Sequence, residues 1–91
     1  MLRDRFTDQH AETMALEGLG FLAGRPDELE RFLSNSGLDA AELRSRAADR
    51  DVLRAVVEFL LGTDELVTAF CAEHGFKPQD LHLANHRLGG A

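Results

Sequence analysis

Four residues near the carboxyl end of the chain have side chains that bind transition metals. Cys71 and His74 are three positions apart, and His82 and His86 are four apart. On a helix these spacings place both members of a pair on one face, so the four residues are candidate zinc ligands. The helical pattern, however, places His82 and His86 on the flank of their helix, at an angle of more than about 100° from its apolar stripe. We therefore expect no metal and no other cofactor, and interpret these residues as a solvated histidine pair and a half-buried structural cysteine.

Two stretches have the spacing of a helix-turn-helix, in which a second helix enters the major groove of DNA. They cover residues 33–43 and 71–81 and centre on Gly37 and Gly75. The candidate nucleic-acid contacts, all on the helix that follows Gly75, are His82, Asn85 and Arg87. Sixteen acidic against ten basic residues give a net charge of −6, which disfavours binding to a phosphate backbone. Nucleic-acid binding is therefore the alternative function.

Glycines 18 and 20, followed by Ala23, match the relaxed dinucleotide fingerprint G-x-G-x-x-G/A. That fingerprint binds a pyrophosphate only in the turn between a strand and a helix. Here it lies inside a helical pattern with no strand candidate, so we reject it. The sequence also lacks a nucleophile elbow, a phosphate-binding lysine loop and an H-E-x-x-H pair. We expect no catalytic residues and no enzymatic activity.

Apolar residues outside the predicted core are candidates for docking a partner. Phe6 precedes the first helix, Leu16 lies about 140° from the stripe of that helix, and Leu83 lies off the inward face of the last helix. Scattered apolar side chains are also ordinary on the surface of a short chain, which is the alternative interpretation.

A stripe of small residues on the first helix would let a second helix approach closely. Its members are Ala11, Ala15 and Gly18. This groove either receives an amphipathic helix of a partner or is filled by the fourth helix of the same chain.

Six short helices are needed to position these residues. Their starts are indicated by Thr7 or Asp8, Pro26, Asp39, Asp49 or Arg50, Thr63 or Asp64, and Pro78, and their ends by Gly24, Gly37, Gly62 and Gly75. Asp39 and Glu42 have the spacing of a capping box. The fourth helix is apolar nearly all round, with Arg54 and Glu58 as its charged strip, so we expect it at the buried centre.

The chain also contains an apparent internal duplication. Residues 21–24 (FLAG) recur as 59–62 (FLLG), and the Gly-apolar pair at 37–38 recurs at 75–76, with an offset of 38. We predict two three-helix units, at about 8–48 and 50–88, that pack through the first and fourth helices into one bundle without an obvious cleft. Residues 1–6 and 89–91 are expected to fray. Chance recurrence of helix caps is the alternative explanation.

The run at residues 11–23 (AETMALEGLGFLA), with Phe32-Leu33, Gly37-Leu38-Asp39, Leu43-Arg44 and Phe59-Leu60-Leu61 downstream, resembles a family of short bacterial proteins known only as a domain of unknown function. The similarity spans nearly the whole chain. It implies a shared helical fold and carries no catalytic residue to any position here. The family favours proline after the turn aspartate, where this chain has Ala40, and this difference concerns capping only.

Length and composition are those of one small globular domain. The 91 residues are 44% hydrophobic and 29% charged, and the single cysteine excludes an internal disulfide. No apolar run is long enough for a signal peptide or a membrane span, so we expect a cytoplasmic protein. The sequence predicts an all-α, single-domain protein of residues 1–91. Its expected function is a small interaction or regulatory module that binds another protein or itself.

Overall fold

Six α-helices joined by short turns make up residues 7–89, the part of the chain that this computed structural model describes. They are α1 (Asp8–Ala23), α2 (Pro26–Ser36), α3 (Ala40–Ser45), α4 (Arg50–Leu61), α5 (Asp64–His74) and α6 (Pro78–Leu88). No strand occurs within these residues, and the predicted all-α class is confirmed. None of the six helices is long and apolar enough to cross a membrane.

Polar side chains start three of the helices as the sequence predicts. Thr7 Oγ1 accepts a hydrogen bond from the His10 backbone N–H at 3.1 Å. Asp39 and Glu42 form the predicted capping box: the Asp39 carboxylate accepts from the Glu42 N–H at 2.7 Å, and the Glu42 carboxylate accepts from the Asp39 N–H at 3.1 Å. Thr63 Oγ1 accepts from the Leu66 N–H at 3.4 Å. These caps satisfy backbone donors that the first helical turn leaves free.

Two glycines end helices in the left-handed conformation. Gly37 has φ 77° and Gly75 has φ 76°, and their N–H groups donate to the carbonyls of Leu33 and Cys71. The apolar residue after each glycine, Leu38 or Phe76, packs against the core. These turns set the direction in which α3 and α6 leave α2 and α5.

The centre of the molecule is formed by α1, α4 and α6, which pack on one another. Five residues of α4 are buried, and Arg54 and Glu58 on its outer strip pair at 3.4 Å. The small-residue stripe of α1 is internal, since Ala11 and Ala15 are 0% exposed. A Cβ built on Gly18 would lie 2.9 Å from Leu60 Cδ1, so α4 fills this groove and no partner helix can enter it.

The third helices of the two predicted units pack differently. α6 has eleven residues and packs against α1 and α4, whereas the six-residue α3 packs extensively on no other helix. Leu43 is the one buried residue of α3. The third helices therefore differ in length and packing, and the structure does not confirm the two units as repeats.

Candidate docking groove

An apolar groove of about 330 Å³ lies on the surface between α1, α2 and α3. Seven of its eight lining residues are aliphatic. The lining residues are Leu19 and Ala23 from α1, Leu29 and Leu33 from α2, and Ala40, Leu43, Arg44 and Ala47 from α3 and the turn after it. The groove is therefore a place where an apolar ligand can be removed from water.

The groove is open because α3 is short and its facing residues are small. Ala40 and Leu43 lie on α3 and Ala47 lies in the turn after it, and the two alanines reach only a short way toward α1 and α2. Leu19, Leu29 and Leu33 consequently remain half-buried. The expectation of a surface without a cleft is wrong for this reason. It rested on two three-helix units that pack on one another into one bundle.

Arg44 is the one charged residue that lines the groove. It is exposed, and no ion pair or side-chain hydrogen bond joins it to another residue between positions 7 and 89. The nearby Arg46, in contrast, pairs with Asp49 at 3.0 Å. The guanidinium of Arg44 therefore lies beside an apolar surface without a partner among residues 7–89. This arrangement can bind a ligand that carries a carboxylate.

The four candidate metal ligands are not brought together. Cys71 is buried, and burial, with the negative charge of Asp80, raises the pKa of its thiol. The half-buried His74 contacts Glu17, with 2.9 Å between Nδ1 and Oε1, and its ring lies 4.8 Å from that of Phe70. In residues 7–89, no group of three or more His, Cys, Asp or Glu side chains is arranged to hold a metal ion.

His82 and His86 lie apart from that pair, on the exposed side of α6. The inward side of the same helix carries Leu81, Ala84 and Leu88, which are at most 5% exposed. This is the flank position that the helical pattern predicts. The two imidazoles therefore face solvent from a helix that is firmly packed on its other side.

Two of the three candidate nucleic-acid contacts are engaged within the chain. Asn85 Oδ1 accepts a hydrogen bond from Arg54 Nε at 3.5 Å, and Arg87 Nη1 lies 3.4 Å from a carboxylate oxygen of Asp8. The Arg87 carbonyl also accepts from Arg50 Nη2 at 2.6 Å. These contacts hold the end of α6 against α1 and α4. His82 is the one member of the set that faces solvent with no such contact.

The candidate docking residues have different positions. Leu16 and Leu83 are each 46% exposed, as predicted. Phe6 lies outside the described residues. The residues of the open groove were not among the sequence candidates, because Leu29 and Leu33 have the same spacing as core residues. The short apolar face of α3 was the one available signal.

One family model matches the chain. Its description is Protein of unknown function (DUF3572), and the match covers residues 8–91. Neither the curated proteins nor the solved structures contain a match.

Proposed function

This chain belongs to the DUF3572 family, and we propose that it is an interaction module that binds an amphipathic helix of a partner protein. The partner helix lies in the groove between α1, α2 and α3. The observation that carries this proposal is an open apolar groove with one uncommitted cation, Arg44, in its lining. The proposal gives the chain no catalytic role.

A helix is the occupant that the lining favours. An extended peptide added to a sheet needs a free strand edge, and residues 7–89 contain no strand. A polyproline helix docks on aromatic side chains, and the lining of this groove contains none. Helices bind in aliphatic grooves through apolar residues at positions i, i+3, i+4 and i+7. The half-buried leucines of the groove are suited to that mode, because covering them removes further apolar area from water.

Arg44 adds a requirement for charge. The partner helix should carry an aspartate or glutamate beside its apolar face, where a carboxylate can accept two parallel hydrogen bonds from the guanidinium. Because the pair forms at the edge of an apolar groove, it is less screened than a fully exposed ion pair. The net charge of −6 disfavours a partner that is acidic throughout. The expected occupant is thus a mainly apolar helix with a single acidic position.

A random-peptide display selection on the purified chain tests this function. Selected peptides should carry apolar residues at helical spacing, and labelled copies should bind in solution by fluorescence anisotropy. Ala23→Trp, which fills the groove, should weaken binding by about tenfold or more, corresponding to about 1.4 kcal/mol. Ala72→Trp is the matched control, since Ala72 is an exposed alanine of α5 outside the groove. Equal binding by both variants, or failure to enrich any peptide, would overturn the proposal.

A charge reversal tests the acidic position. Arg44→Glu should weaken peptides that carry a carboxylate by about tenfold and should favour peptides with lysine or arginine at that position. Arg31→Glu is the control, because Arg31 is exposed and does not line the groove. Arg44 also lies in the last turn of α3, so urea unfolding of both variants is measured alongside. Selected peptides without a shared acidic residue would contradict the charge requirement while leaving the groove itself supported.

A further inference from the structure

The exposed side of α6 carries two imidazoles that the proposed function does not use. His82 and His86 are four residues apart in the middle and last part of an eleven-residue helix, and both are exposed. No hydrogen bond or ion pair joins either ring to another residue in the described range. We propose that these two side chains form a surface chelate for one divalent transition-metal ion of the Zn²⁺, Ni²⁺ and Cu²⁺ class.

The spacing is suited to binding one ion through both rings. Residues at i and i+4 of a helix have Cβ atoms about 5–6 Å apart on the same face. From these positions, one nitrogen of each imidazole can approach a common ion at the usual metal–nitrogen distance of about 2.0–2.1 Å. The same spacing places two histidine ligands in the helical H-E-x-x-H zinc motif. A helical backbone is therefore sufficient to align the pair.

The remainder of the fold holds that backbone in place. Leu81 and Ala84 are 0% exposed and Leu88 is 5% exposed, so α6 is anchored along its inner side. Its final turn is held by Arg50, whose Nη2 donates to the Arg87 carbonyl at 2.6 Å. The two histidines thus approach the ion from a rigid support, and binding does not require the helix to be ordered at that moment.

The ligand chemistry determines which ions bind. Neutral imidazole suits zinc, copper and nickel, whereas magnesium and calcium prefer oxygen ligands. Two protein ligands leave the other coordination positions to water or to a group from another molecule. We therefore expect weaker binding than at a structural zinc site, which has four protein ligands. Cys71 and His74 do not join this site, because Cys71 is buried and His74 is paired with Glu17.

Calorimetric titration of the untagged chain with NiCl₂ and ZnCl₂ tests the chelate. The wild-type chain should bind one ion. His82→Ala and His86→Ala should each weaken binding by about tenfold or more, because the second imidazole acts at high effective concentration. His10→Ala removes an exposed histidine from α1 and should bind the ion as the wild type does. MgCl₂ should give no binding.

A melting experiment separates a helix-dependent chelate from binding by isolated histidines. A ligand that binds the folded chain more tightly than the unfolded chain raises the melting temperature. NiCl₂ should therefore raise the melting temperature of the wild type and of His10→Ala, but not of either α6 variant. Circular dichroism should show all three variants folded, because the replaced side chains are exposed. Binding of undiminished strength in His82→Ala or His86→Ala, or an equal loss in His10→Ala, would overturn the proposal.

Discussion

At the scale of single residues, burial decides the behaviour of Cys71. Cys71 follows Phe70 in the sequence, and both residues lie in the core; 8% of Cys71 is exposed. Burial and the charge of Asp80 both disfavour the thiolate, and the pKa of the thiol is raised. A thiol held neutral is a poor nucleophile and a poor metal ligand. Its environment therefore supports the interpretation of Cys71 as a residue of the packed core.

The raised pKa of Cys71 predicts a loss of stability at alkaline pH. The unfolded chain ionises its thiol at lower pH than the folded chain does, so this contribution is present below the unfolded pKa and is lost as pH rises through the folded pKa. The slope attributable to Cys71 should reach at most about 1.4 kcal/mol per pH unit.

Urea unfolding between neutral pH and about pH 10 measures this slope, and Cys71→Ala should remove it. The chain contains no tyrosine and only one lysine, Lys77, so few other groups titrate in this range. Thiolate absorbance of the folded wild type gives an independent titration. A slope that is equal in the wild type and in Cys71→Ala would contradict the assignment.

At the scale of the helix, the same residue type has different roles at different positions. Gly37 ends α2 at φ 77°, Gly20 is exposed within α1, and Gly18 faces α4. A Cβ added at Gly37 or Gly20 meets nothing within 4 Å, whereas at Gly18 it would lie 2.9 Å from Leu60. Substitution therefore tests backbone strain at Gly37, helix propensity at Gly20 and close packing at Gly18.

Replacing each of these glycines by alanine should change stability in a different way. Gly37→Ala should lower the free energy of unfolding by about 1–2 kcal/mol, because a left-handed conformation is unfavourable for alanine. Gly20→Ala should raise it by about 0.5–1 kcal/mol through helix propensity. Gly18→Ala should lower it, because Leu60 and Val56 must move. Urea unfolding at fixed pH measures all three, and a stabilising Gly37→Ala would contradict the role of the left-handed cap.

At the scale of the whole molecule, different parts of α1 are covered to different extents. α1 packs against α4 and α6, and the end of α6 is held by arginines of α4. Around Leu19 and Ala23 of α1, the short α3 leaves the groove toward α2 open. Whether a groove of this protein is internal or open at the surface therefore depends on which helix covers it.

Replacing an alanine of the small-residue stripe by a larger residue tests whether the stripe lies inside the molecule. Ala15 is 0% exposed, so Ala15→Leu should lower the free energy of unfolding by about 1–3 kcal/mol or prevent folding. Ala72→Leu, at an exposed position of α5, should stay within about 0.5 kcal/mol of the wild type. Thermal and urea unfolding measure both. Unchanged stability of Ala15→Leu would show that the stripe is not packed inside the molecule.

The sequence by itself determined the number of helices, where they start, and the ends that glycines mark. Thr7, Asp39, Gly37 and Gly75 act through hydrogen bonds or dihedral angles within about four residues, so their effects can be predicted without the fold. The buried face of α4 was equally predictable, because nearly all of its sides are apolar. The exposed positions of Leu16, Leu83 and the two histidines of α6 followed from the same helical spacing.

Only the tertiary structure decided which helix covers which face. The spacing of Leu29 and Leu33 is that of core residues, yet they line an open groove, because the helix after them is short and carries alanines. The sequence around Asn85 and Arg87 gives no sign that these polar side chains have partners. In the fold, Asn85 contacts Arg54, which is 31 positions away, and Arg87 contacts Asp8, which is 79 positions away. Local spacing specifies the direction in which a side chain points from its own helix. The partner it meets there depends on the length and packing of helices distant in sequence.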